Sequence, residues 1–264
     1  MGYENVSFKE YQQRIGLNQS TIKDILKAPQ KWALGAIQKP DSKALDFGSL
    51  CHDLILSFDD IKDKYLFADA DKLDFRLKEH KKLKEQADEQ GLILIDKATK
   101  NEADKLINHN LFFFDRFIDK RRGDCELSYF GEYKGVMCKA RFDFISKDKK
   151  TIIDLKFLQS ATKDDFSRAV ANFGYYIQAA FYLELTGAKE FLFLAIEKTE
   201  PYLIGVYKLD TAALDLGRER IEKAIEIYKN KEVYAENFYF DNADKEKDIV
   251  QIVGLPTYEY YKGA

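Results

Sequence analysis

Along the chain as far as Arg122, apolar positions recur every third or fourth residue, the spacing of helices with one buried face. In "NQSTIKDILKAPQKW" Ser20 stands where a helix N-cap belongs and Pro29 where the helix must stop. "SKALDFGSLCHDLILS" carries a second helix, and "DFRLKEHKKLKEQADEQG" reads as a charged one closed by Gly91. The stretch from Asp96 to Asp119 predicts one or two more. After Gly123 the period drops to two, and "CELSYFGEY", "GVMCKARFDFIS" and "KTIIDLKFL" predict three strands. A single helix follows in "SATKDDFSRAVANFGYYIQAAFYLELTG", capped by Thr162 with Asp165 three residues on and ended by Gly187, with Val170, Phe173, Ile177 and Ala180 on its core side. Strands "EFLFLAIE" and "YLIGVYKL" and an amphipathic helix from about Thr211 to Lys231 complete the order βββαββα, and the tail through "PTYEYYKGA" reads as irregular. The pattern predicts one α/β domain over residues 1–264: a mainly helical part to 122, an αβ core at 123–235 and a tail from 236.

The second and third strands are separated by the polar loop "KDKK". Ser146 then pairs with Thr151, and counting outward sets Asp143 across from Asp154 and Arg141 across from Lys156. These four share one face, while Ala140, Phe142, Phe144, Ile153, Leu155 and Phe157 take the other. Two carboxylates directly opposed destabilise an antiparallel pair, so something must compensate. One answer is a solvated face on which Arg141 meets Asp154 and Lys156 meets Asp143, each pair contributing under about 1 kcal/mol. The other is a divalent cation held by hard oxygen ligands, with Lys156 set to polarise a water or a phosphate oxygen. On the following helix Gln178 and Tyr182 share a face with Tyr175, where an amide and a hydroxyl can orient a water, the lysine or a phosphate, or simply bond at a helix–sheet border. Of the three histidines, His52 is the one inside an apolar stretch, as a core histidine or as a metal ligand.

Composition narrows the class. The chain has 264 residues, 45% hydrophobic and 33% charged, enough for a substantial core. No apolar run reaches the roughly 18 residues of a membrane span, and "MGYENVSFKE" lacks the basic and apolar regions of a signal peptide, so a cytoplasmic protein without membrane contact is expected. Val6 stands where a myristoylation signal wants Ser or Thr. Cys51, Cys125 and Cys138 form no CxxC pair and read as buried reduced thiols. A net charge of −3 excludes a chain coated in positive charge but leaves room for a local basic groove. "KEHKKLK" (78–84) and "DKRRGD" (119–124) are the candidate patches, each read first as a solvated helix face or turn.

In this order, "FGSLCH", "RFDFI", "IIDLK" and "YYIQAAFYLEL" resemble the RecE-type exonucleases (exodeoxyribonuclease VIII) of the PD-(D/E)XK nuclease superfamily, and "LNQSTIKDILKAPQKW" resembles the Ser-containing segment that precedes their histidine helix. The resemblance runs from about Leu17 to Leu185. It implies a restriction-endonuclease-like core, a mixed sheet flanked by helices. It also implies metal-dependent hydrolysis of linear duplex DNA, processive and 5′ to 3′, in single-strand-annealing recombination. By the same resemblance Asp143, Asp154 and His52 hold Mg²⁺, or Mn²⁺ in its place, with the Leu155 carbonyl and Glu126 as further ligands. Lys156 is then the catalytic lysine and Gln178 with Tyr182 the QxxxY pair. Partners implied are duplex DNA ends, further copies in a trimeric or tetrameric ring, and a single-strand annealing protein of a bacterium or phage. Phe142 stands where the superfamily often has Pro, and Asp154 where it often has Glu; three scattered cysteines fall one short of an iron–sulfur cluster. Two other readings of the same residues stay open: a structure-specific or restriction-like endonuclease, and a DNA-binding module without turnover.

Overall fold

The computed structural model describes residues 1–38, 47–236 and 253–260. Strand β1 (Gly2–Glu4) leads into α1 (Phe8–Gln13) and α2 (Gln19–Lys27). The cap of α2 is Asn18, whose side chain accepts from the Thr21 amide, so the expected cap Ser20 lies inside the first turn. An Asn oxygen satisfies an orphan amide as well as a Ser hydroxyl does, and pattern alone does not choose between them. Pro29 ends α2 by opening α3 (Pro29–Ala33), where its missing N–H costs nothing. Helix α4 (Phe47–Leu56), β2 (Tyr65–Phe67), α5 (Lys78–Gln90), β3 (Ile93–Ile95), α6 (Lys97–His109) and α7 (Leu111–Phe117) complete the helical part. Gly91 closes α5 at φ 70°, as its position predicts. The part of the predicted second helix that precedes Phe47 lies mostly outside the described residues. Residues 78–84 fall on α5 and 119–124 on a turn and strand start, and His80 is buried, its Nδ1 accepting from the Asp74 amide.

The two predicted strands ahead of the "KDKK" loop each divide. "CELSYFGEY" becomes β4 (Gly123–Cys125) and β5 (Ser128–Tyr133), broken at Glu126, whose φ is 55°. "GVMCKARFDFIS" becomes β6 (Val136–Arg141) and β7 (Phe144–Ser146), broken at Phe142 and Asp143. After β8 (Thr151–Leu158) the long helix also divides, into α8 (Lys163–Phe173) and α9 (Tyr175–Thr186), because Gly174 takes φ 63°. Thr162 caps α8 as expected, accepting from the Asp165 amide. Then come β9 (Glu190–Glu197), β10 (Ile204–Tyr207), α10 (Thr211–Lys229), α11 (Lys231–Tyr234) and, in the tail expected to be irregular, one helical turn, α12 (Thr257–Tyr260).

The divided strands serve two sheets. β5 lies between β1 and β6 in an antiparallel sheet of three, and a five-stranded mixed sheet runs β10-β9-β8-β7-β4 with β8 and β9 parallel. β2 and β3 pair in parallel by themselves. The parallel pair is joined by α8 and α9, the crossover that parallel strands require. Phe144 pairs with Ile153 and Ile145 with Ile152, the register counted from the loop. Arg141, however, pairs with Ser128 on β5 and not with Lys156. The two apolar faces also differ from expectation: Phe144, Ile153 and Leu155 pack with Leu50, Ile95 and Leu106. Ala140 and Phe142 pack on the opposite side, with Ile152, Phe181 and Phe193. The chain crosses from one face to the other at Phe142–Asp143, and that crossing divides the strand.

One further contact anchors α1 and another sets the position of α9. Buried Lys139 donates to the carbonyls of Tyr11, Gln12 and Arg14 at 2.8, 3.2 and 2.5 Å, filling the open C-terminus of α1 with a cation. Gly217 of α10 lies so close to α9 that a Cβ there would come within 2.6 Å of the Tyr176 carbonyl oxygen and the Ala180 methyl. Cys51 and Cys138 are buried thiols and Cys125 a half-buried one. Among the described residues no helix is long and apolar enough to cross a membrane.

On an exposed helix Gly→Ala gains about 1 kcal/mol. Here the clash decides the sign, and Gly217→Ala is expected to lower unfolding stability by about 1–3 kcal/mol in urea denaturation followed by circular dichroism. A more stable variant would show that the α9–α10 packing described here is wrong.

Candidate active site

Between α2, α4, β8 and α9 lies a cleft of about 980 Å³, lined among others by His52, Glu126, Asp143, Asp154, Leu155, Lys156, Gln178 and Tyr182. These eight residues singled out in the sequence therefore border one space, which they reach from α4, the breaks beside β4 and β7, β8 and α9. β8 delivers Asp154 and Lys156 to the α9 side of the sheet because their neighbours Ile153 and Leu155 are drawn to the other. α9 is buried from Ile177 to Tyr182 without interruption, so its polar Gln178 and Tyr182 must find partners inside. Asp143 sits at the crossing between the two faces, within reach of α4 and β8 together.

Asp154 is 3% exposed. Its Oδ1 accepts from Gln178 Nε2 at 2.6 Å. Its Oδ2 pairs with Lys156 Nζ at 2.5 Å. Burial pushes the Asp154 carboxyl up to about 6; Lys156 draws it down, and Asp143 adds to the rise. Lys156 itself is raised despite burial, because Asp154 and Asp143 hold its proton, and its ammonium lies 4.7 Å from the Tyr175 ring centroid. The pair thus has a secure cation and a carboxylate short of positive charge.

Asp143 accepts from the Leu155 amide at 2.7 Å and meets His52 Nε2 at 3.2 Å. Burial works against both charged forms, yet their mutual attraction wins: Asp143 is lowered and His52 raised to about 10. Ligand atoms of His52, Glu126 and Asp143 all lie within 4.8 Å of one another. Asp154 falls outside that triad, drawn toward Gln178 and Lys156. Glu126 reaches the triad from the break between β4 and β5, with its amide donating to the Asp143 carbonyl. Arg141 Nε pairs with Glu126 at 2.6 Å and its Nη1 donates to Val6 O and Ser128 Oγ. Tyr182 donates to the Arg141 carbonyl at 3.1 Å, bracing the crossing from above. Asp53, beside His52, pairs with Lys64 at 2.8 Å and accepts from Tyr65 at 3.0 Å.

Sequence reading did not find Lys23, which donates to the Phe173 carbonyl at 3.2 Å and is pulled down to about 8 by burial and by neighbouring Lys156. Its only trace is its place on a helix whose start borders the cleft. Phe173, expected in the core, is 57% exposed, because the turn at Gly174 swings it outward.

A family model described as a PDDEXK-like domain of unknown function (DUF3799) matches residues 19–237. No curated protein matches the chain. A crystal structure of a Eubacterium rectale protein, provisionally designated an exonuclease, superposes with a TM-score of 0.59 at 19% identity, covering 99% of this chain and 100% of that one. At that identity the likeness is one of fold. The crystal structure of SSO0001, with a TM-score of 0.29 at 16% identity over 78% of this chain and 85% of that one, is too distant to carry an argument.

The His52–Asp143 pair gives a pH signature in metal-free protein. Because the histidine is raised in the folded state, its stabilisation is fully present below the ordinary histidine range and is lost as pH rises toward about 10. With chelator present, the melting-temperature gap between wild type and His52→Gln should therefore narrow steadily from pH 6 to pH 10. A gap independent of pH would refute the protonated pairing.

Proposed function

The chain belongs to the family of PDDEXK-like domains of unknown function (DUF3799), and on that premise we propose that it is a divalent-metal-dependent deoxyribonuclease, an exonuclease acting on linear duplex DNA. The observation that carries this reading is the triad of His52, Glu126 and Asp143, with ligand atoms within 4.8 Å of one another, beside a buried Asp154 whose carboxyl is pushed up to about 6. Carboxylates gathered this closely repel one another, and a dication held among them and the imidazole removes that cost. These residues therefore fit a metal: His52, Glu126, Asp143 and Asp154 would hold it with the Leu155 carbonyl, and Mg²⁺ or Mn²⁺ suits a set dominated by oxygen. Bound there, the cation supplies a Lewis acid for the scissile phosphate and lowers the pKa of the attacking water.

The remaining work falls to the chain. Asp154 and Asp143 hold the proton of Lys156 in the metal-free chain, and its ammonium would offset the negative charge that grows on the phosphate oxygens as water attacks and the P–O bond breaks. Gln178 fixes Asp154 by donating to Oδ1, which leaves Oδ2 to Lys156. Tyr182, through the Arg141 carbonyl, keeps the crossing that carries Asp143 in place. Arg141 holds Glu126 at the rim of the triad.

The finer reading rests on the order of the motifs along the chain. Digestion runs 5′ to 3′ and processively, by a ring of three or four copies that encloses its product. It works beside a single-strand annealing protein in the cytoplasm of a bacterium or a phage-infected cell. Residues 1–264 act as one nuclease domain, with His52 contributed by the helical part and the other site residues by the core.

With end-labelled linear duplex DNA and Mg²⁺, the wild-type chain is expected to release nucleotides, and Lys156→Ala to lose about 10²- to 10³-fold in rate. Chelation of the metal should abolish release, and a covalently closed circle should resist. Equal digestion by wild type and Lys156→Ala would overturn the assignment of the site.

A further inference from the structure

Helix α8 ends at Phe173 and α9 begins at Tyr175; Gly174 between them takes φ 63°, a conformation that turns the chain without continuing either helix. The turn brings two rings side by side. Phe173 and Tyr175 stack with centroids 5.6 Å apart and planes 28° from parallel. Their surroundings differ. Tyr175 is half-buried, lies against Phe166 and Phe193, and faces the Lys156 ammonium at 4.7 Å. Phe173 is 57% exposed, so a large apolar ring stands in solvent one ring away from the lysine of the candidate active site.

An exposed Phe alone needs no explanation. This one is bordered by positive charge. Lys23 donates to the Phe173 carbonyl at 3.2 Å, and its stem packs at Gly174, where a Cβ would come within 3.0 Å of Lys23 Cδ. Lys23 and Lys156 are close enough for the charge of one to lower the other, even with Asp154 nearby. An aromatic face open to solvent, with Lys23 bonded to its backbone carbonyl and the Lys156 ammonium one ring further in, is a combination that accepts a nucleotide: the ring takes the flat base and the cations attract the phosphate. A peptide or lipid would find an apolar patch only one ring wide.

We propose that Phe173 is a stacking platform for the base of the nucleotide that flanks the scissile phosphate, a specificity-determining contact that rests on the nuclease reading of the site. A terminal base already offers the ring one open face and a frayed base offers two, so fraying at the end of the duplex eases its seating on the ring. Every base has a π-face, and the platform reads none of their edges. Frayed and single-stranded ends are therefore better substrates than blunt GC-rich ones, without a sequence preference.

The test uses the whole chain and two readouts. In the first, 2-aminopurine is placed as the terminal nucleotide of either strand of a short duplex, with Ca²⁺ replacing Mg²⁺, and fluorescence is read on binding. Wild type and Phe173→Trp are expected to quench it and Phe173→Ala to leave it bright. In the second, with Mg²⁺, the rate on a base-bearing end is compared with that on an abasic end. Wild type should favour the base by about tenfold and Phe173→Ala should bring the ratio close to one. If wild type and Phe173→Ala both digest DNA with the same quenching and the same ratio, the platform is refuted while the nuclease reading stands. If wild type quenches and Phe173→Ala does not, but neither digests DNA, the nuclease reading falls and Phe173 remains a base-stacking contact without a role in specificity for cleavage. A wild-type chain that neither binds nor digests DNA refutes both.

Discussion

A carboxylate at 3% exposure needs compensation for almost the whole of its lost hydration, and Asp154 receives it from two directions: the Gln178 amide on one oxygen and the Lys156 ammonium beside the other. Most of the architecture around the centre follows from keeping those partners in place. β8 must present alternate residues to the two faces, so that Ile153 and Leu155 are covered by one apolar layer while Asp154 and Lys156 meet α9. α9 must approach the sheet closely, which Gly217 on α10 allows from behind. Tyr175 must lie under the lysine, which the bend at Gly174 arranges. Removing either partner of Asp154 leaves a buried charge uncompensated, and such losses are larger than those of any exposed ion pair on this molecule.

The second constraint is the crossing at Phe142–Asp143. The chain leaves one sheet at Arg141 and joins the other at Phe144. At the crossing Asp143 has no strand partner of its own, and it receives the Leu155 amide and the His52 imidazole instead. Glu126 comes to the same place by the parallel break between β4 and β5. Two interruptions side by side thus give the site its acidic groups, as expected where function is built at the cost of regular pairing.

Much of this was legible in the chain. The register of β7 on β8 followed from one polar loop, because alternation leaves no freedom once the turn is placed. Thr162, Gly91 and Gly187 marked their boundaries through local chemistry that tertiary context did not override. The convergence of His52, Asp143, Asp154, Lys156, Gln178 and Tyr182 on one cleft was legible through motif order, not through periodicity. What escaped was non-local. The division of "GVMCKARFDFIS" is imposed by a second sheet whose first strand lies at residues 2–4, and nothing within the segment announces it. Phe173 looked like core because its spacing matched Val170 and Ile177, and only the left-handed glycine after it reverses that reading. Lys23 gave no signal, since its significance lies in distance to residues far along the chain.

The centre draws on His52 near one end of the described chain and on Gln178 and Tyr182 far beyond it. A polypeptide still emerging from the ribosome therefore carries β8 with its acid and its lysine well before the helix that steadies them. Until α9 has been released and docked against α10, Asp154 has no amide to hold it and no wall to exclude water. The wall around Asp154 is therefore complete only once α9 and α10 have both left the ribosome, and a chain stopped before Lys229 lacks part of it.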